Sequence, residues 1–192
     1  MIYTLVNFSI YLLRAGVGMR KRLREHEVIL IQADEASNDI LELHLDQINS
    51  MLRAMHLWFH SAHNVVHGTS FMGDHVSLYG KIYTEIQDEV DGFIERSIGL
   101  TKNQDMGCPI KITAAAQKLL SSLPSPVKLE GHEIPEVGRD IIEAYLELLE
   151  VVYKKLTSAD HMTLGLDDLI SSSANTHESY FYLLNQRAIK DR

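Results

Sequence analysis

The chain has 192 residues, of which 45% are apolar and 23% charged, a net charge of −8 and a single cysteine, Cys108. These values exclude a disordered chain and an internal disulfide, and they suffice for one domain that buries its own core. Four prolines and eleven glycines are few interruptions, and abundant Leu, Ile, Glu and Ala favour helix. The lone thiol fits a reducing setting such as cytoplasm.

Residues 1–36 read as an N-terminal extension, apolar and then basic, and a helical one is expected. Met1 to Leu13 are largely apolar, but no basic segment precedes them and no small-residue cleavage site follows, so a signal peptide is not expected. The stretch is too short to span a bilayer, and Asn7 and Ser9 interrupt it. It suits packing on another subunit or lying on a membrane surface. Arg14, Arg20, Lys21, Arg22 and Arg24 outweigh Glu25 and Glu27, so the acidic excess lies downstream. An acidic body suits cation handling, and a basic arm suits contact with a polyanion.

Residues 37–192 read as the main domain. From Ser37 to Val66, Ile40, Leu41, Leu45, Ile48, Leu52, Met55 and Phe59 recur at helical steps, and Gly68 follows. From Gly73 to Ile98 the stripe is Leu78, Ile82, Ile86, Val90, Phe93, Ile94 and Ile98. An irregular region from Gly99 to Gly138 holds all four prolines, with a short helix from Ile112 to Leu120. A third long helix starts near Pro135 or Glu136 and ends near Leu156. A fourth runs from a Thr163 cap to about Ile189. The short connections predict antiparallel pairs, one and two, then three and four. The long connection between two and three can run the length of a bundle. An all-α, ferritin-like four-helix bundle with one long crossover carrying a short helix is therefore expected.

The first long helix carries His44, His56, His60 and His63, with His67 just before Gly68. The last four are spaced by four, three and four residues and share one face. Neutral imidazole is a common metal ligand, and a stripe of it is an unusual use of a modest helix former. The second helix carries Asp88, Asp91 and Glu95, with His75 at its start. Asp91 and Glu95 project on one side, and mixed imidazole and carboxylate sets suit iron, with zinc open. Glu143, Glu147 and Glu150 with His177 and Glu178 are a second candidate set, inside one subunit.

The run His63-Asn64-Val65-Val66-His67-Gly68-Thr69-Ser70-Phe71, then His75, then Asp91-Gly92-Phe93-Ile94-Glu95-Arg96 resembles the signature of the Dps mini-ferritins, which protect DNA in starved bacteria. Ala159 to Thr163, Thr176 to Glu178 and Tyr182 to Leu184 are similar to that family's last helix, so the resemblance covers about Ser37 to Ala188. Three positions depart from it. Asn64 replaces a Trp, and Tyr79 stands where many members have an Asp ligand. Asp91 follows His75 by sixteen residues instead of fifteen. One extra residue rotates a helix by about 100°, so a π-bulge must absorb it or His75 must precede the helix.

The resemblance implies a metal site built from His63 and His75 of one subunit and Asp91 and Glu95 of its two-fold mate. It implies a hollow homo-dodecamer that oxidises Fe(II) with peroxide or oxygen, a ferroxidase, and stores Fe(III). Non-specific DNA contact would fall to Arg20, Lys21, Arg22 and Arg24, with Arg187, Lys190 and Arg192 at the other end. The alternative is a catalytically degenerate module of the same fold, with or without DNA binding.

Overall fold

The computed structural model describes residues 4–8, 28–32 and 37–189. Two strands lie in the extension, β1 (Thr4–Phe8) and β2 (Val28–Gln32), paired antiparallel with Thr4 opposite Gln32. The expected helix is not found in these ten residues. Thr4, Val6, Val28, Ile29 and Ile31 are β-branched, and residues of that kind favour extended chain over helix.

The long helices are α1 (Ser37–Val65), α2 (Lys81–Thr101), α4 (Glu133–Ser158) and α5 (Leu164–Ala188), with α3 (Pro109–Ser122) in the crossover. A π-helical segment, Gly73–Gly80, runs directly into α2. Gly68, at φ +91°, turns the chain out of α1 without the penalty a Cβ would bring. The Thr163 hydroxyl accepts from the Leu166 N–H at 3.2 Å and caps α5 as expected.

Cross-links fix the directions. Along α1 and the α2 limb, Asn49 meets Ser97, Arg53 meets Gln87 and His63 meets His75, so these two run antiparallel. Between the α2 limb and α5, Glu89 meets His177, Glu85 meets Tyr180 and Asp74 meets Arg187, again antiparallel. Contacts of α4 with both α1 and α5 close the ring. The chain must therefore return along the bundle between α2 and α4, which is the one long crossover of a ferritin-like bundle.

The core lies along the axis. Leu45, Ile48, Leu52, Met55 and Phe59 of α1 face Ile82, Ile86, Val90 and Phe93 of α2, all fully buried. Each such side chain contributes about 1.5–3 kcal/mol when removed from water. Gly138 lets α4 approach closely, because a Cβ there would lie 3.1 Å from Phe59 and 3.4 Å from Trp58. The crossover is tied to α1 by Lys111–Asp46 at 2.6 Å and by the Trp58 indole N–H, which donates to the Pro124 carbonyl at 2.9 Å. No helix among the described residues is long and apolar enough to cross a membrane.

Candidate metal centre

His63, in the last turn of α1, and His75, in the π-helical segment, lie face to face with ring centroids 3.8 Å apart and planes 16° apart. Each ring is held by the other's backbone. His63 Nδ1 bonds the His75 carbonyl at 2.7 Å, and His75 Nδ1 bonds the His63 carbonyl at 2.8 Å. A carbonyl only accepts, so both Nδ1 atoms carry the proton. The atom left for a ligand on each ring is then Nε2, the arrangement that orients a metal-binding imidazole. Phe71 stacks on the outer side of His75 at 4.8 Å, which accounts for an aromatic at that place in the motif.

The π-helical segment answers the spacing problem. A π turn holds one more residue than an α turn, so the sixteenth residue is taken up before α2 begins. Gly80 makes the turn feasible. A Cβ at Gly80 would stand 2.6 Å from the His75 carbonyl oxygen and 3.3 Å from His63 Nδ1, inside the pair's own hydrogen bond. From the other side, Arg187 of α5 grips buried Asp74 with three N–H···O contacts of 2.8–3.1 Å. Arg187 is thus engaged with a carboxylate, which corrects its expected place among groups offered to DNA. Lys190 and Arg192, like Arg20 to Arg24, lie outside the described residues.

Asp91 and Glu95 are exposed, one turn apart on α2. Sixteen helical residues separate Asp91 from His75, more than roughly 20 Å of axis, so one chain cannot close these four around an ion. Consistent with this, no group of three or more His, Cys, Asp or Glu side chains able to hold a metal is assembled among the described residues. The two histidines come together, and the two carboxylates stand apart from them.

Tyr79 is a core residue. Its ring is fully buried and stacks near Phe59 at 6.5 Å, and its buried hydroxyl has no hydrogen-bond partner among the described residues. Burial raises this phenol well above its ordinary range, so it stays protonated. Asn64 is exposed and returns its amide to the His60 carbonyl at 2.9 Å.

The intrasubunit set does not form as the sequence suggested. Glu143, Glu147, Glu150 and Glu178 are exposed, while His177 turns fully inward. Its Nε2 lies 3.5 Å from Glu89 Oε2, and its Nδ1 donates to the Ser173 carbonyl at 3.0 Å. Tyr145 and Ser173 share a hydrogen bond of 2.9 Å beside it, and the Tyr180 hydroxyl donates to the Glu85 carboxylate. Burial pushes Glu89 up to about 8 and His177 down to about 4. Near neutral pH the uncharged form of each is therefore favoured, and Glu89 Oε2 and His177 Nε2 face each other at 3.5 Å without a hydrogen bond between them. Sequence reading missed this cluster. Leu166, Ile170, Ser173, His177, Tyr180 and Leu184 form one buried stripe at four- and three-residue steps, and its polar middle hid the signal.

A closed four-helix bundle with one long crossover defines a ferritin-like fold. Among solved structures, the fold is similar to that of Dps from Thermosynechococcus elongatus, determined by X-ray crystallography. The TM-score is 0.67 at 21% sequence identity, over 80% of this chain and 92% of that one. No protein-family model matches the chain, and no curated protein matches it in sequence. The chain thus has the fold of Dps.

Proposed function

We propose that this chain is a Dps-like ferroxidase that takes Fe(II) as substrate, oxidises it with peroxide or oxygen, and stores the ferric product in a hollow homo-oligomer, a dodecamer. The observation that carries this reading is the reciprocal locking of His63 and His75. It leaves an Nε2 lone pair on each of two stacked rings, and two imidazoles alone make an incomplete iron site. Asp91 and Glu95 of a two-fold-related copy complete it, which agrees with their exposure in the single chain. The imidazoles hold Fe(II), and the carboxylates favour the harder Fe(III) that forms. Two Fe(II) ions give one electron each to a peroxide, whose O–O bond breaks to leave two waters after two protons are taken up. Iron and oxidant are consumed together, which spares DNA from radical damage. The basic residues Arg20, Lys21, Arg22 and Arg24 would give weak, salt-sensitive contact with DNA phosphates.

The test is Fe(II) oxidation by peroxide, followed optically beside native mass measurement. The expected result is a twelve-subunit assembly that oxidises Fe(II) well above the buffer rate. Asp91→Ala with Glu95→Ala loses that rate and keeps the fold. A monomer, or a rate no faster than buffer, overturns the reading in favour of a degenerate module. A gel shift that vanishes when residues 1–27 are deleted tests the DNA part separately.

A further inference from the structure

His56 and His60 stand one turn apart on α1, on the continuation of the row that ends in His63. Their ring centroids are 6.1 Å apart and their planes 21° apart. They differ from their neighbours in one respect. His44, His63, His67, His75 and His177 each set Nδ1 against an oxygen. Among the described residues neither the His56 nor the His60 ring makes a hydrogen bond, and His56 Nδ1 is buried without a partner.

Tyr83 of α2 backs the pair, its ring 4.8 Å from His60 and 6.2 Å from His56. That contact limits where the imidazoles can swing. Burial, then Arg53 and His60, lower the His56 pKa, so the ring is neutral near pH 7 and carries a free lone pair. The Arg53 guanidinium donates to Gln87 at 3.2 Å and does not occupy that lone pair.

We propose that His56 and His60 chelate a borderline divalent transition ion such as Cu(II), Ni(II) or Zn(II), within one chain and separately from the His63/His75 pair. Imidazoles one helical turn apart face the same side, so a small rotation brings one nitrogen of each to a common ion. With metal–nitrogen bonds near 2.1 Å, two rings sharing an ion place their centroids roughly 5–6.5 Å apart. The observed 6.1 Å lies in that range. Exposed His60 leaves the outer side of the ion to water, which completes the shell that two protein ligands cannot. Among divalent ions Cu(II) binds such nitrogen donors most strongly, which makes it the probe of choice.

The experiment titrates Cu(II) alone into the assembled, metal-stripped protein and reads stoichiometry, affinity and nitrogen superhyperfine lines by electron paramagnetic resonance. The expected result is a Cu(II) held by two nitrogen ligands, one per chain beyond any ion at the His63/His75 pair, which persists alone in His63→Gln/His75→Gln and is lost in His56→Gln/His60→Gln. His60→Ala changes an exposed side chain and so keeps the fold. Losing a direct ligand costs at least the roughly tenfold that losing a ligand's own hydrogen-bond partner does. An unchanged titration in both His60 variants overturns the proposal. So does half an ion per chain, which would mean bridging between copies, or loss only with His63 and His75. No iron chemistry enters the readout, so a chain inert toward Fe(II) still tests the site.

Discussion

His75 and His177 are held in the same way, each with Nδ1 against a backbone carbonyl, yet the fold leaves them in opposite conditions. His75 is half-buried beside another histidine, and its Nδ1–H bond leaves the lone pair on Nε2. His177 is fully buried and faces Glu89, whose carboxyl group burial keeps protonated. The same tautomer gives a candidate ligand, with its lone pair on Nε2, in one place and a neutral core element in the other. Burial and the partner at Nε2 decide between them, and neither is written in the residue itself.

The contrast can be broken most severely at the brace behind His75. Arg187→Gln leaves Asp74 as a buried carboxylate without its bidentate partner. The expected loss is roughly 2–3 kcal/mol by urea unfolding, below the cost for a wholly buried pair because Arg187 is one-third exposed. Iron oxidation should fall with it as the π-helical segment loosens. A variant as stable as the parent would show that the segment holds itself.

Gly80→Ala acts closer to the pair. Its Cβ would press on the His75 carbonyl, so a loss of about 1–3 kcal/mol is expected, with disturbance of both histidine hydrogen bonds. Imidazole proton shifts in the NMR spectrum of the variant report this directly. Unchanged shifts at His63 and His75 would mean that the turn has room to spare.

The inner cluster is separated from the outer pair by its pH dependence. His177 moves from 6.5 to about 4 on folding, so between those values the unfolded chain binds a proton that the folded chain refuses. Stability is therefore lost as pH falls through that window. Glu89 moves from 4.5 to about 8, so the folded chain keeps a proton that the unfolded chain releases, and stability is lost as pH rises. In urea midpoints measured against pH, His177→Gln should flatten the acid limb and Glu89→Gln the alkaline limb. Limbs unchanged in both variants would show that the pair does not set the profile.

The smallest effect is expected at Tyr79. Tyr79→Phe removes a buried hydroxyl that has no partner, so stability should change by no more than about 1 kcal/mol, toward greater stability. Iron oxidation should be untouched. A fall in oxidation rate would return Tyr79 to the site and blur the division between core and ligand shell.

Much of the bundle was legible because apolar residues recur at helical steps in α1 and α2, and because turn residues cluster in the crossover. The α5 stripe was harder to read, since Ser173 and His177 occupy buried positions where the pattern calls for apolar side chains. At the candidate metal centre, the family resemblance joined His63 and His75, and the extra residue before Asp91 left either a π-bulge or a His75 ahead of the helix, which the π-helical segment decides. Which of the ten histidines face outward was not legible. That depends on what α5 and α2 place opposite each ring, and a row of His at helical spacing carries no record of it. The strands of the extension were missed because an apolar run reads alike as helix or strand until its partner is known.

The indole of Trp58 donates to Pro124 across the junction of α1 and the crossover, and it is the chain's single tryptophan. The protein therefore carries its own fluorophore at the point where the long connection is fastened. Emission from an indole that is 2% exposed is blue and shifts to the red when water reaches it. Detachment of the crossover can thus be timed in an unlabelled protein, apart from the opening of the helices.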